Sequence, residues 1–455
     1  GLKDETGNVN GNQSSRSNGI SNALSLYRII KYKHSDGTYG TNGNNSNNCT
    51  FRLAEFGDGT CQNWGNPFGE GFHSVLRYYA NEPPSGDFRS NDSNEIKGLN
   101  PPQSYKFSLE DNNSCASLNV VSFNNSTISY DGDQLDDNSD GVGSIGSTLS
   151  SDELTNVVGV GEGIHGKTYF VGENGATSQG DAGYQVCTAK TVSSLGDVRG
   201  LCPTAPRLEG TFKIAGLAHY AHTNDINDKV AGLQTVKTYA VNLASATPQI
   251  DIPVPNSPAK SVRVLPACQN IDLKKANGST ISGLSGACSI VDFKIVEPHA
   301  ETNGIGTGKY YVNWENGEQG GDYDQDMWGV LSYTISDSKI EITTDVIAYS
   351  GGGARMGFGY VISGTTEDGA HFHSGSGDGA GFVYHDPTAA TDCPTGCNTS
   401  DGPTSYTYAL GSSTASFLQD PLFYAAKWGG FNDIDGDGTP NQVAEWDAVD
   451  EQGNP

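Results

Sequence analysis

Apolar positions change their rhythm along this chain. Up to about residue 246 they recur at helical spacing or in short runs; after it they alternate in short β-branched and aromatic segments. Residues 20–32, ISNALSLYRIIKY, place Leu24, Tyr27 and Ile30 on one helical face, with Ser21 or Asn22 as cap. Residues 67–80, PFGEGFHSVLRYYA, predict a second helix that Pro67 opens, with an apolar stripe of Phe68, Phe72, Val75, Leu76 and Tyr79. The run LNVVSF at 118–123 predicts a strand buried on both faces. Ser151 starts a short helix through Val158 whose acidic first turn suits the helix dipole. Residues 208–223 predict a stronger helix bearing His219 and His222, and residues 235–243 alternate as a strand. Helices and strands taking turns in this way predict an α/β region.

After Ala246, seven segments read as strands: 250–254, 261–265, 288–296, 309–314, 328–335, 339–349 and 356–364. Gly, Pro, Asn and Asp punctuate them, which predicts a β-sandwich. Residues 367–403 read as a Gly/His/Asp loop, and 412–428 as a helical segment broken near Pro421. The expected organisation is mixed α/β plus all-β: an α/β region over 1–247 with long disulfide-held loops, a β-sandwich over 248–366, and a tail over 367–455.

Composition narrows the class. The chain has 455 residues and a formal net charge of −27, from 26 Lys+Arg against 53 Asp+Glu. Such an acidic surface repels phosphate backbones, so nucleic acid is not an expected partner. No apolar run is long enough to span a bilayer. The polar opening, GLKDETGNVNGNQSSRSNG, has no signal-peptide pattern, so the chain reads as a mature or internal fragment.

The nine cysteines fall mostly in neighbouring pairs: Cys49/Cys61, Cys187/Cys202, Cys268/Cys288 and Cys393/Cys397, with Cys115 left over. Short loops closed by local pairs suit an extracellular protein, though sequence alone does not fix connectivity. Cys393 and Cys397 with His371, His373 and His385 offer zinc as an alternative; the CxxxC spacing without a second pair favours a disulfide. His219 and His222 lie one turn apart without a visible third ligand, so they read as helix-surface or core residues.

The most specific motif is GFNDIDGDGTPNQVAEWD at 430–447. Asp433, Asp435 and Asp437 supply carboxylates from one tight turn, and Gly438 stands where a calcium loop turns sharply. Thr439 can give a carbonyl, Asn441 a side-chain or water-mediated ligand, and Glu445 or Asp447 can close the sphere. The position of the closing acid departs from an EF-hand, and Pro440 interrupts the loop. The bland alternative is a solvated Asp/Gly turn; the alternation of three Asp followed by Gly favours calcium. A second, weaker metal candidate is Asp322, Asp324 and Asp326. Its position beside Trp314 and Trp328 also admits a glycan-binding or glycan-cleaving reading. No nucleophile elbow, P-loop or zinc-protease motif is present in the sequence, so no enzymatic role is expected.

Several long phrases, in order, resemble the type IV pilus tip-associated adhesin and biogenesis family of PilC/PilY type. They include NWGNPFGEGFHSVLRYY, SYDGDQL, SLGDVRGLCPTAPRLEGTFKIAGLAHYAHTNDI, VNWENGEQGGDYDQDMWGV and DPLFYAAKWGGFNDIDGDG. The resemblance implies the rear part of a von Willebrand A-like region followed by a middle region, without the family's C-terminal β-propeller. No Asp-x-Ser-x-Ser motif is present, so an A-domain adhesion metal site is not carried over. The implied role is an extracellular, calcium-stabilised segment at a bacterial cell surface or pilus tip. It would act in surface adhesion and pilus biogenesis, with pilin subunits and a host or abiotic surface as partners. The rival expectation is a structural subunit that pairs with like chains in an extracellular filament, with Cys115 available for cross-linking.

Overall fold

The computed structural model describes residues 66–83, 116–132, 135, 141–178, 181, 183–206, 209–243, 248–269, 288–316, 327–349, 356–375, 403–411 and 415–448, plus the short ladder of Tyr32–Lys33 with Thr38–Tyr39. The expected helix at 20–32 otherwise lies outside the described residues.

The first unit is built on helices α1 (Phe68–Tyr79), α2 (Ser151–Gly161) and α3 (Lys213–Thr223). Beside them run parallel strands β1 (Leu118–Asn124) and β4 (Val236–Asn242), with Leu118 opposite Val236 and Asn124 opposite Asn242. A second small sheet pairs β2 (Lys167–Val171) with β3 (Thr188–Val192). One apolar core joins these elements, with Leu76, Val158, Leu217 and Val236 wholly buried within it. Helix α2 starts where a capping box forms: Ser150 accepts from the Glu153 amide, and the Glu153 carboxylate accepts from the Ser150 amide. Ser150→Ala should therefore cost about 1 kcal/mol, measured as a lower urea midpoint.

Two expectations for this unit are corrected. In α1, Val75 faces solvent, while Glu70, His73 and Arg77 are buried. The polar side chains are turned inward because the core side of α1 holds a hydrogen-bonded network rather than an apolar stripe alone. Strand β1 is buried on one face only: Leu118 and Val120 point into the core, and Val121 and Phe123 point out.

The second unit is the β-sandwich. One sheet has four antiparallel strands in the order β12–β11–β6–β5: Gly369–Gly375, Gly357–Ser363, Ser257–Gln269 and Ile250–Val254. The other has five in the order β7–β8–β9–β10–β13: Cys288–Thr302, Ile305–Asn316, Met327–Ile335, Lys339–Tyr349 and Thr404–Ala409. Between the sheets lie Val264, Val312, Leu331, Ile342 and Phe358, all fully buried. The four-stranded sheet is covered on its other face as well. There Leu265, Val361 and Phe372 meet Phe170 of β2 and Val186 beside β3. It is the middle layer that holds the two units together.

The sandwich therefore runs past the expected boundary at 366. The stretch expected to be a Gly/His loop contains β12 and leads to β13. His371 and His373 are fully buried: His371 Nε2 donates to the Glu367 carbonyl (2.9 Å), and His373 Nε2 lies 3.0 Å from the hydroxyls of Tyr360 and Tyr408. These two imidazoles serve the core network. Cys393, Cys397 and His385 lie outside the described residues, as do Cys49, Cys61 and Cys115. Cys187 and Cys202 form the expected disulfide. Cys268 is also disulfide-bonded; the side chain of Cys288 is outside the described residues.

The tail returns to the first unit. Strand β14 (Ala415–Ser416) pairs with β2, and α4 (Pro421–Gly430) packs across α3 and β4. The helix expected from 412 thus begins only at Pro421, because Asp420 caps it and proline at the first helical position cannot continue a helix from upstream.

Candidate functional site

The loop after α4 gathers Asp433, Asp435 and Asp437, with one carboxylate oxygen from each within 4.8 Å of the others. All three are exposed. The turn is shaped by the carboxylates themselves. Asp433 accepts from the amides of Gly436 (2.7 Å) and Gly438 (3.0 Å). Gly436 and Gly438 both have left-handed backbones, at φ +80° and +78°, which glycine adopts without strain. Asp437 accepts from the amide and hydroxyl of Thr439, each at 2.8 Å. Asp435 accepts from Gln442 Nε2 at 2.9 Å, and that hydrogen bond is the main reason its carboxyl stays below the ordinary range. The Asn441 amide donates to both Asp435 and Asp437.

The remaining expected ligands are placed differently. The Thr439 carbonyl accepts from the Asn441 amide nitrogen at 2.9 Å. Glu445 is buried and stands outside the carboxylate cluster. Its two oxygens accept from the main-chain amides of Ile434 (3.0 Å) and Gln442 (2.9 Å), so it clasps the loop shut across its neck. Asp447 accepts from the Ala448 amide. The structure thus brings together three of the seven expected metal residues, with Asn441 and Thr439 bonded to them. Asp322, Asp324 and Asp326 lie outside the described residues.

The tryptophans expected to flank that second cluster do not share a surface. Trp314 sits opposite Met327 and is buried in the sandwich core, whereas Trp328 sits opposite Asn313 and is partly exposed beside Tyr311. Adjacent positions on a strand point to opposite faces, so the two rings cannot form one sugar-stacking platform.

What holds the loop in place was not evident in the sequence. His219 Nε2 donates to the Gly438 carbonyl and His222 Nε2 to the Phe431 carbonyl, both at 2.9 Å. Burial is the leading cause that pushes both imidazoles below the ordinary histidine range, and the carbonyl bonds oppose it. Below the loop, Trp428 is 2% exposed, donates Nε1 to Glu162 at 2.6 Å and meets His219 edge-on at 5.0 Å. Lys427 pairs with Glu162 at 2.7 Å and lies over the Trp446 ring at 4.7 Å. An exposed carboxylate loop is therefore mounted on α3 and α2 by two histidines and a tryptophan. A hard cation suits its oxygen-only donor set.

This combination defines a class: an α/β unit and an antiparallel β-sandwich sharing a middle sheet, with an acidic loop clasped to the helices. Family models identify both parts. The model for the second domain of PilY1 homologs matches residues 2–221, and the model for their β-sandwich matches residues 252–408. The chain belongs to the PilY1-type family. It is similar to the type IV pilus biogenesis factor PilY1 homolog of Xylella fastidiosa, with 29% identity over 468 residues, covering 90% of this chain and 30% of that protein. The chain thus spans under a third of the length of that relative. No solved structure matches it.

Proposed function

We propose that the chain is a non-catalytic, calcium-stabilised segment of a type IV pilus adhesin and assembly factor, working outside the cell at the bacterial surface or pilus tip. The observation that carries this reading is membership of the PilY1-type family over both units. The parallel β1–β4 pair, with helices on its inner face, supports reading the first unit as the rear part of a von Willebrand A-like region. The oxygen cluster at Asp433, Asp435 and Asp437 supports calcium as the cofactor. Pilin subunits are the proposed partners, and the adhesion target is a host or abiotic surface. Gold-labelled protein should sit at pilus tips or the outer surface in electron micrographs of intact cells. Label spread along the whole fibre would favour the filament-subunit alternative and defeat this one.

The calcium part is tested on the isolated chain. Three carboxylates in five residues repel one another, and a cation held only by the folded loop offsets that repulsion. At a free calcium level of a hundred dissociation constants the stabilisation is about 2.7 kcal/mol. Chelator should lower the melting temperature or expose residues 429–447 to protease, and Asp435→Asn should remove most of that difference. Identical melting and protease patterns with calcium and with chelator would reduce the loop to an ordinary acidic turn.

A further inference from the structure

The outer face of the five-stranded sheet carries two aromatic rings among small polar side chains. Trp328 of β9 lies opposite Asn313, and Tyr311 of β8 opposite Val330, so the two rings are diagonal neighbours on that face. Trp328 is 36% exposed, and its ring meets Tyr311 edge-on, with centroids 6.2 Å apart and planes at 75°. Ser332, Thr343 and Ser405 continue the same face, one opposite the next across β9, β10 and β13. The ladder is irregular at the rings themselves. It slips between Trp328 and Gly329, where Ile347 is the extra residue of β10, and again on β7 between Ile290 and Asp292. Such bulges re-aim side chains and recur beside binding sites. Gly329 fixes the other side of the strand, because a Cβ there would run into the Phe358 ring that packs beneath it from the opposite sheet. The indole is thus held facing outward.

We propose that this corner binds a neutral glycan, with a pyranose ring lying on Trp328 and standing against Tyr311. A sugar presents a face of C–H groups and a rim of hydroxyls, and the site offers a complement to each. The indole takes the C–H face. On the β7 side the Asp292 carboxylate accepts from Lys294 Nζ at 2.7 Å, and Lys294 lies 6.0 Å from the centre of the Tyr311 ring. A carboxylate beside an ammonium can accept from one hydroxyl and donate to its neighbour. On the other side Asp345, opposite Val330, supplies a second carboxylate. From β7 to β10 is three strand spacings, about 14 Å, which is room for a short run of sugar units. Two features select a glycan over other partners. A protein interface is built on a broad apolar centre, whereas among the described residues only Val330 and Ile347 add large apolar side chains to the two rings here. A polyanion would meet Asp292, Asp345 and a chain of net charge −27. The proposal rests on the adhesion reading above for its setting, and gives the bound surface a chemistry.

The test is calorimetric titration of the full chain with cellohexaose, mannohexaose, xylohexaose and N-acetylchitohexaose. At least one should bind with one-to-one stoichiometry. Trp328→Ala should weaken that binding about tenfold or more, and Asp292→Asn severalfold, both without a change in melting temperature because these side chains reach the surface. Trp328→Phe keeps a ring and should retain part of the affinity. No heat of binding from any of the four sugars at millimolar concentration would overturn the proposal, and so would binding that Trp328→Ala leaves unchanged. Gold label at pilus tips without sugar binding would sink the glycan site and leave the pilus reading standing; sugar binding without tip label would do the reverse.

Discussion

Trp428→Ala is expected to be the most damaging single change in the C-terminal segment, at about 3–5 kcal/mol. The indole is 2% exposed and lies so close to α2 that a Cβ on Gly161 would come within 2.2 Å of the ring. Glycine at 161 is therefore what lets the ring seat. Truncation would leave a cavity between α2, α3 and α4, remove the hydrogen bond to Glu162 and take away the edge on which His219 rests. His219 in turn holds Gly438, so the acidic loop loses its mounting. The urea midpoint should fall sharply, and protease should cut between 421 and 447 before the sandwich unfolds. Trp428→Phe keeps most of the apolar volume and should cost much less, chiefly the lost bond to the partly buried Glu162. If the alanine variant stays within about 1 kcal/mol of the parent and the tail stays protease-resistant, other contacts hold the segment.

The features legible in the sequence are those written in a few adjacent residues. The strand at 339–349 was delimited by its alternation alone, since Ile340, Ile342, Thr344 and Val346 all turn inward. Helix α2 was legible through the acidic first turn that follows Ser151; the capping box of Ser150 with Glu153 was not read from the sequence. The Asp433–Asp437 cluster was legible because five residues contain all its carboxylates. Strand β12 was not, because GAHFHSG lacks β-branched residues and its sheet is covered on both faces, so no polar positions alternate. The histidines of α3 gave no clue to their role, because their acceptors lie 219 and 209 residues further along the chain. Glu445 was read as a ligand because it is an acid close behind the three aspartates; its partners, two main-chain amides, become visible only when the loop is folded.

Asp131 shows the same limit more sharply, and it carries the other large prediction. Helix α1 has no side-chain cap of its own at Pro67. Asp131 takes that place from 62 residues away: Oδ1 accepts from the Gly69 amide at 2.6 Å, and Oδ2 accepts from the Thr211 hydroxyl at 3.0 Å. The reciprocal bond runs from the Gly132 amide to Glu70 at 2.9 Å, and buried Lys213 ties the loop down through the Gly132 carbonyl at 3.0 Å and Asp152 at 3.3 Å. Asp131→Ala should cost about 2–3 kcal/mol, because it leaves buried main-chain donors at the start of α1 unpaired. The carboxylate itself is under tension. Burial raises its pKa to about 6, against the bonds from Thr211, Gly69 and Glu70 and the charge of Lys213, which all lower it. A group raised in the folded state holds its proton there after the unfolded chain has released it. Its contribution is therefore complete below the ordinary value near 3.8 and is lost as pH climbs through about 6. From pH 7.5 down to 5, Asp131 alone should add on the order of 1 kcal/mol of stability. Other carboxylates titrate as well, so the informative quantity is the difference from Asp131→Asn, which keeps an oxygen for the Gly69 amide and cannot ionise. Urea unfolding at several pH values should show the parent gaining on the asparagine variant as the solution is acidified. Parallel profiles between pH 5 and 7.5 would mean that the carboxylate keeps an ordinary pKa and that its burial at the head of α1 is not as described.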